Sequence, residues 1–148
     1  MTPLALPSFD VRLRETTEMV EIWDSFRKKW VICTPEEWVR QHFAQYLKNN
    51  LGYPGGRIAL EVGFLVNRLH KRADIVVYDE KGVPLIIAEC KAPEITLNNA
   101  VFEQVSRYNL AMKAPYLFVT NGMKHFCAKV DLEQKKWEFM NEFPLHIG

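Results

Sequence analysis

Two apolar runs joined by a polar turn occupy residues 72–93, whose sequence is RADIVVYDEKGVPLIIAECKAP. Runs of this length, rich in Ile and Val and separated by a turn that contains Gly82, predict a β-hairpin. If the turn is centred between Lys81 and Gly82, the antiparallel register pairs Asp74 with Glu89. The hairpin is therefore predicted to bring two carboxylates together inside a sheet.

A lysine follows the second carboxylate at strand spacing. Glu89 and Lys91 share one face because side chains alternate along a strand. Directly opposed residues have Cβ atoms about 5 Å apart, so Asp74 and Glu89 can bind one divalent ion. Oxygen ligands favour Mg²⁺ or Mn²⁺, and buried acids need such a partner. We predict a metal-dependent hydrolase site, with Lys91 activating water or stabilising charge during phosphodiester cleavage.

Size and composition are those of a globular protein. A chain of 148 residues can bury one core, and a hydrophobic fraction of 48% excludes disorder. Nineteen basic and eighteen acidic residues give a net charge of +1, so attraction to nucleic acid must come from a local patch. The three separated cysteines favour reduced thiols, and there is no signal peptide or apolar membrane span. We expect a cytoplasmic protein without a membrane partner.

Helices are predicted on both sides of the hairpin in the sequence. Short β-like runs predict an N-terminal β extension over residues 1–33, followed by a single domain over residues 34–148. Thr34, Pro35 and Glu37 are typical of a capped helix start. That helix is expected to end near residue 50 and to bury the following side chains: Trp38, Phe43, Tyr46, Leu47 and Leu51.

The remaining elements complete a mixed sheet. Three β-type runs cover residues 57–66, 72–78 and 84–90, with polar joints at 67–71 and 79–83. A second helix is expected from Leu97, capped by Thr96, with an apolar face of Leu97, Val101, Val105, Tyr108 and Met112. A strand at 115–120 and a hairpin of 124–130 with 136–140 follow. The order αβββαβ, with an added hairpin at each end, predicts an α/β (α+β) fold whose mixed sheet is flanked by helices.

Asp74, followed after fourteen residues by Glu89-x-Lys91, resembles the PD-(D/E)xK nuclease motif, and the element order resembles its restriction-endonuclease-like core. A closer resemblance, over residues 35–143, is to the N-terminal nuclease domain of type I restriction enzyme R subunits. It is carried by four segments: Arg72–Tyr78, Ala88–Pro93, Gln104–Tyr108 and Val119–Gly122. Ala73 stands where the motif's name has proline. Gln104 and Tyr108 are also similar to the QxxxY motif of recombination-helicase nucleases, where the pair helps to hold nucleic acid near the active site.

The resemblance implies an Mg²⁺-dependent (or Mn²⁺-dependent) DNA endonuclease with Asp74, Glu89, Lys91 and Gln104 in its catalytic site. No GxxxxGK[ST] sequence is present, so we expect a stand-alone relative that does not translocate DNA. A separate helicase or specificity protein is an expected partner, and a homodimer would suit double-strand cleavage. The alternative is a non-catalytic module of the same fold that binds nucleic acid or docks on a motor protein, and RNA remains a third candidate substrate.

Several single residues have two interpretations. Glu37 is a candidate third metal ligand or simply a helix cap, and Glu61 is a similar case. Arg72 and Tyr108 are candidate nucleic-acid contacts, although Tyr108 equally suits core packing. A DNA-facing patch is another candidate role for two basic groups, which would otherwise be solvated surface: Arg27, Lys28 and Lys29, and Lys71 with Arg72.

Overall fold

A computed structural model describes residues 1–146, and it confirms the predicted α/β class. The central sheet is mixed and has six strands in the order β4-β5-β6-β7-β8-β9, of which only β6 and β7 run parallel. A separate antiparallel sheet has the order β1-β2-β3. The strands are β1 (Leu13–Glu15), β2 (Val20–Asp24), β3 (Lys29–Ile32), β4 (Ile58–Val66), β5 (Leu69–Tyr78), β6 (Pro84–Cys90), β7 (Tyr116–Thr120), β8 (His125–Asp131) and β9 (Lys136–Met140); the helices are α1 (Pro35–Asn49) and α2 (Asn99–Met112).

The N-terminal extension contains three strands, one more than a hairpin. Ile22 and Asp24 of β2 are fully buried, whereas Trp23 between them is half-buried and pairs with Trp30 across the sheet. This alternation directs one face of the small sheet towards the rest of the protein. The C-terminal hairpin differs from the N-terminal addition because β8 pairs with β7 and extends the central sheet.

Helix α1 begins where the sequence predicts. Pro35 is its first residue, and the Thr34 hydroxyl accepts a 3.0 Å hydrogen bond from the backbone N–H of Glu37. The Glu37 side chain does not complete a capping box, because it binds other side chains. Trp38 is half-buried, and its indole donates to the carbonyl of Thr2. The most deeply buried apolar residues of the helix are Val39, Phe43, Ala44 and Leu47.

Helix α2 begins at Asn99, two residues later than expected. The cap is Asn98, whose side-chain oxygen accepts a 3.2 Å hydrogen bond from the N–H of Val101, and Thr96 therefore has no capping role. Phe102 and Val105 are buried in the helix face, and Asn109 is buried beside them. The Asn109 amide bonds both backbone groups of Ala114, which satisfies its polar atoms.

The β4–β5 hairpin is longer than predicted. The strands continue to Val66 and from Leu69, so the expected joint over residues 67–71 shortens to Asn67 and Arg68. Both turn residues have positive φ, 49° and 66°, which is the geometry of a tight hairpin turn that follows the twist of the strands. The hairpin therefore extends as a regular two-stranded ribbon to its tip.

The same hairpin changes the face that it buries at Glu61 and Asp74. Leu60 and Ile75 pack in the apolar cluster that contains residues of α1. Val62 and Ala73, which are nearer the hairpin tip, pack in the apolar cluster that contains residues of α2. Glu61 has φ 57°, and the ladder passes from Leu60↔Ile75 to Val62↔Ala73 without a regular pair between them. The irregularity turns both carboxylates towards α1.

The β5–β6 hairpin has the predicted register from Ile75 to Val77. Ile75 pairs with Ala88 and Val77 with Ile86, and the regular pairs end one residue short of Asp74 and Glu89. Near the turn the register shifts at a bulge between Val77 and Tyr78. The bulge accommodates a turn in which Tyr78 pairs with Pro84, one residue out of the expected register.

The sheet separates two apolar clusters. The α1 cluster includes Phe43, Ile86 and Phe118, and the α2 cluster includes Phe102, Ile87 and Leu117. Cys33, Cys90 and Cys127 are all free thiols. Within residues 1–146, neither helix has the length and apolar character needed to cross a membrane.

An N-terminal strap packs over the turn between β7 and β8. Ala5 donates from its N–H to the carbonyl of Gly122, and its own carbonyl contacts Nε2 of His125 at 2.8 Å. Gly122 has φ +84°, and a Cβ there would lie 2.8 Å from Leu4 and 3.0 Å from Val39. Glycine therefore meets both a conformational and a steric requirement at this position.

We expect Gly122→Ala to lower the free energy of unfolding by about 2–3 kcal/mol, because left-handed strain and overpacking add. The matched control is Gly82→Ala, since Gly82 has φ +78° but open space around its Cβ. Strain alone predicts a loss of about 1 kcal/mol for the control. Urea denaturation measures both values. Equal losses would show that the strap does not pack tightly against Gly122.

Candidate active site

Asp74 is a buried carboxylate of the predicted site, with a residue exposure of 7%. Its Oδ1 accepts from the guanidinium of Arg40 at 2.8 Å, and its Oδ2 accepts from the backbone N–H of Cys90 at 2.7 Å. The second bond fixes the carboxylate to β6 between Glu89 and Lys91. Charge-assisted bonds of this kind hold a side chain firmly in one orientation.

Arg40 of α1 is surrounded by acids. Its Nη1 donates to Glu37 at 2.6 Å, and its Nη2 lies 2.8 Å from Asp74, 2.8 Å from Glu61 and 3.1 Å from Glu36. Its Nε is buried without a hydrogen-bond partner. Burial lowers the pKa of Arg40, but the charges of Asp74 and Glu37 outweigh it and raise the pKa overall. One guanidinium thus partly neutralises four carboxylates.

Glu37 is already engaged on both oxygens. Oε1 accepts from Arg27 and Arg40, and Oε2 accepts from Gln41 at 3.0 Å. Arg27 in turn binds the buried carboxylate of Asp24. These bonds connect the N-terminal sheet to α1, and they place Glu37 on the side of Arg40 that faces this sheet. To serve as a third metal ligand, Glu37 would have to give up one or more of these partners.

Glu89 and Lys91 contact each other beside Asp74. The Lys91 Nζ lies 3.5 Å from Glu89 Oε1, and the two side chains are 26% and 15% exposed. Burial and the negative charge of Asp74 raise the pKa of Glu89 to about 8, although Lys91 acts in the opposite direction. Two carboxylates therefore share a poorly hydrated space without enough positive charge.

Glu36 is a member of this cluster that the sequence did not single out. Burial and the charge of Asp74 raise its pKa, while Arg40 and Lys91 lower it. Glu36 also contributes to the raised pKa of Glu89. The available signal was the spacing of Glu36 and Glu37 from Arg40, four and three residues apart, which is the spacing of ion pairs on a helix.

The donor chemistry fits a divalent cation. The charge of Asp74 raises the pKa of both Glu89 and Glu36, and the hard carboxylate oxygens of these residues suit Mg²⁺. Within residues 1–146, no three His, Cys, Asp or Glu side chains converge closely enough to hold a metal by themselves. A two-carboxylate site is compatible with Mg²⁺ because this ion usually retains several waters.

Gln104 and Tyr108 contact each other on α2. The Gln104 amide donates to the Tyr108 hydroxyl at 2.9 Å. The Tyr108 ring packs edge-on against Phe64, and the Lys71 ammonium lies 5.6 Å from its centre. Tyr108 thus joins α2 to the β4–β5 hairpin. Among the described residues, no hydrogen bond joins this pair to Asp74, Glu89 or Lys91.

The basic residues have separate positions. Arg72 projects into solvent, with a side-chain exposure of 73%, and bonds Glu61 at 3.2 Å. Arg27 is enclosed in the ion-pair network described above, so it does not form an open patch with the exposed Lys28 and Lys29. Arg72 therefore contacts an acid of the Arg40 cluster from the hairpin, whereas Lys71 lies over the Tyr108 ring.

The sequence of this chain is similar to those of type I restriction enzyme proteins. The family described as the type I restriction enzyme R protein N terminus matches residues 35–144. The type I restriction enzyme EcoAI endonuclease subunit of Escherichia coli is 31% identical over 67 residues, which make up 45% of this chain and 8% of that protein. The similarity thus covers a small part of the relative's length.

Glu89 should make the metal-free protein less stable as pH rises. Its pKa is raised in the folded state from 4.5 to about 8, so its stabilising contribution is complete below pH 4.5 and disappears as pH rises through about 8. Glu89→Gln, which imitates the protonated form, should match the wild type near pH 5 and exceed it by about 2–4 kcal/mol above pH 8. Denaturation in EDTA measures the difference.

The control is Glu80→Gln, because Glu80 is exposed in the β5–β6 turn. Its difference from the wild type should not vary with pH in the same way. A constant difference for Glu89→Gln across this pH range would show that Glu89 is not held in a poorly hydrated, acidic setting.

Proposed function

This chain belongs to the family of type I restriction enzyme R protein N termini, and on that premise we propose that it is a metal-dependent nuclease acting on DNA. The observation that carries the proposal is the proximity of Asp74 and Glu89. Asp74 accepts a hydrogen bond from the backbone N–H of Cys90, the residue after Glu89, and the pKa of Glu89 is raised to about 8 by burial and by Asp74. Functional sites commonly contain such perturbed acids.

Asp74 and Glu89 would bind Mg²⁺ or Mn²⁺. Glu36 is our preferred supporting acid from α1, in place of Glu37, because the charges of Glu36 and the two carboxylates act on one another and Glu37 is occupied by Arg27 and Gln41. Glu36 would add negative charge beside the ion rather than complete a three-ligand site. When bound, the ion supplies positive charge that offsets the negative charge developing on the phosphate during hydrolysis.

The protein's own residues position the reacting groups. Lys91, held near Glu89, offers an ammonium that can orient a water molecule or bind a phosphate oxygen. The backbone N–H of Cys90 and the guanidinium of Arg40 fix Asp74 in one orientation. Gln104 would position the site through Tyr108, which contacts the hairpin next to Arg72. Preorganised charges of this kind are a large source of catalytic rate enhancement.

Partners are proposed from the family and the relative. The E. coli protein's name describes the endonuclease subunit of a type I restriction enzyme, so we infer DNA as substrate. A helicase or specificity protein would provide direction or sequence selection, and a second copy would allow both strands to be cut. We place this activity in the cytoplasm, where DNA and reduced thiols are found together.

Cleavage of linear, circular and single-stranded DNA in Mg²⁺ or Mn²⁺ tests the proposed function. Asp74→Asn and Lys91→Ala should each reduce the cleavage rate at least about 100-fold, because each removes charge at the reacting phosphate. The control is Lys81→Ala, since Lys81 is exposed in the β5–β6 turn. It should retain the wild-type rate.

An unchanged cleavage rate in Lys91→Ala or Asp74→Asn would contradict the proposal that this chain is a nuclease. If the wild type neither cleaves DNA nor binds Mg²⁺ in calorimetric titration, the chain is a non-catalytic module of this fold. Loss of Mg²⁺ binding in Asp74→Ala would favour the enzyme.

Arg40 provides a second test of the metal site. Without divalent ions, Arg40→Met should cost about 3–5 kcal/mol, because it leaves several enclosed carboxylates without their cation. Mg²⁺ should then recover more stability than it adds to the wild type, because the ion neutralises some of the same carboxylates. Thermal denaturation in EDTA and in Mg²⁺ measures this recovery.

Arg27→Met is the matched control. Arg27 also binds Glu37, but its other partner is Asp24 and it does not contact Asp74. Its loss of stability should show no extra recovery in Mg²⁺. Equal recovery in the two variants would contradict a metal site next to Arg40.

A further inference from the structure

The β4–β5 hairpin carries a concentration of positive charge beside the candidate active site. Between Val62 and Ala73 the sequence contains no acidic residue. The same segment contains Arg68, Lys71 and Arg72, together with His70. This contrasts with a net charge of only +1 for the whole chain. The local composition therefore differs from an ordinary mixed surface.

The shape of the hairpin is regular. Five residue pairs, from Val62↔Ala73 to Val66↔Leu69, extend it beyond the carboxylates. At the usual rise per residue this is a ribbon about 17 Å long. Asn67 and Arg68 close it in a tight turn, so the exposed tip has no flexible loop.

One face of the ribbon is supported and the other is open. Phe64 and Lys71 contact the Tyr108 ring, which attaches the supported face to α2. The open face includes Gly63, which pairs with Arg72, and Leu65, which pairs with His70. Leu65 is 57% exposed, and Gly63 lacks a side chain that would keep a partner away. The open face is therefore accessible to solvent, and no bulky side chain projects from Gly63 next to Arg72.

The open face continues towards the carboxylates. Arg72 and Asp74 lie two residues apart on β5, and Arg72 bonds Glu61, which also contacts Arg40 next to Asp74. A phosphate chain that follows the open face would therefore meet Arg72 two residues before Asp74. Lys91 provides a further positive charge at that end.

We propose that the β4–β5 hairpin, residues 62–73, is a duplex-DNA-binding ribbon that guides the phosphate backbone into the site; this rests on the proposed nuclease function. A two-stranded ribbon fits the major groove of B-form DNA, where Arg72 on the open face and Arg68 at the tip would complement the phosphates. Lys71 adds positive charge from the supported face. Tyr108, supported by Gln104, holds the ribbon at a fixed angle to α2.

Fluorescence anisotropy with a labelled duplex two helical turns long tests this proposal in EDTA, where metal-dependent cleavage cannot occur. The test variant carries Arg68→Gln, Lys71→Gln and Arg72→Gln. It should lose at least about tenfold in duplex affinity at 0.15 M salt, and the slope of log affinity against log salt should fall by about 2–3. Thermal denaturation checks that it folds like the wild type.

The matched control carries Lys129→Gln, Lys135→Gln and Lys136→Gln on the β8–β9 hairpin. This hairpin is at the opposite edge of the sheet, its three lysines are exposed, and Lys135 has a positive φ as Arg68 does. The control makes the same change in net charge. It should lose less than about twofold in affinity, because it removes no groove contact.

Three results would overturn the DNA-binding role of the ribbon. They are no duplex binding by the wild type, equal losses of duplex affinity in the two triple variants, or wild-type affinity in the β4–β5 variant. Equal binding of a single strand and the duplex would overturn the duplex assignment. A wild type that binds duplex through the ribbon but never cleaves it in Mg²⁺ or Mn²⁺ would overturn the nuclease function alone. A wild type that cleaves, with an unaffected ribbon variant, would overturn the ribbon alone.

Discussion

The arrangement of this protein depends on how one buried guanidinium is shared among acids. Arg40 joins α1 to β4 through Glu61 and to β5 through Asp74, while Glu37 connects it to the N-terminal sheet by way of Arg27. Enclosed charges are costly unless they are paired, so these elements must keep their relative positions for the cluster to be tolerated. Electrostatic balance, as much as apolar packing, therefore fixes the end of the sheet that carries the candidate site.

The sequence was informative where local rules determine structure. Alternation and turn position were sufficient to predict that Ile75 pairs with Ala88 and Val77 with Ile86, because a strand register follows from its hairpin and a bulge compensated for the displaced turn. The start of α1 followed from Thr34 and Pro35 for the same reason. At α2 both Thr96 and Asn98 are residues that can cap a helix, and the structure has Asn98 as the cap. The apolar pattern alone does not distinguish between them.

Arg40 and Glu36 were not predicted because their roles depend on tertiary contacts. Their spacing on α1 is compatible with an ordinary surface ion pair. Only the approach of β4 and β5, and the change of buried face at Glu61 and Asp74, places other carboxylates around them. The roles of Asp74, Glu89, Lys91 and Gln104 in catalysis remain predictions that the geometry supports to different degrees, since Gln104 contacts Tyr108 rather than the carboxylates.

The change of buried face at Glu61 and Asp74 also divides the hairpin into an end that tolerates substitution and an end that does not. Residues on the α1 side of this point are constrained by the main core, whereas the outward residues of the ribbon, such as Leu65 and His70, contact little else. Substitutions there can accumulate without disturbing the carboxylates or the sheet register. Sequence changes at the exposed end can therefore alter what the hairpin contacts while the Arg40 cluster is retained, since exposure and burial are assigned to opposite ends of one hairpin.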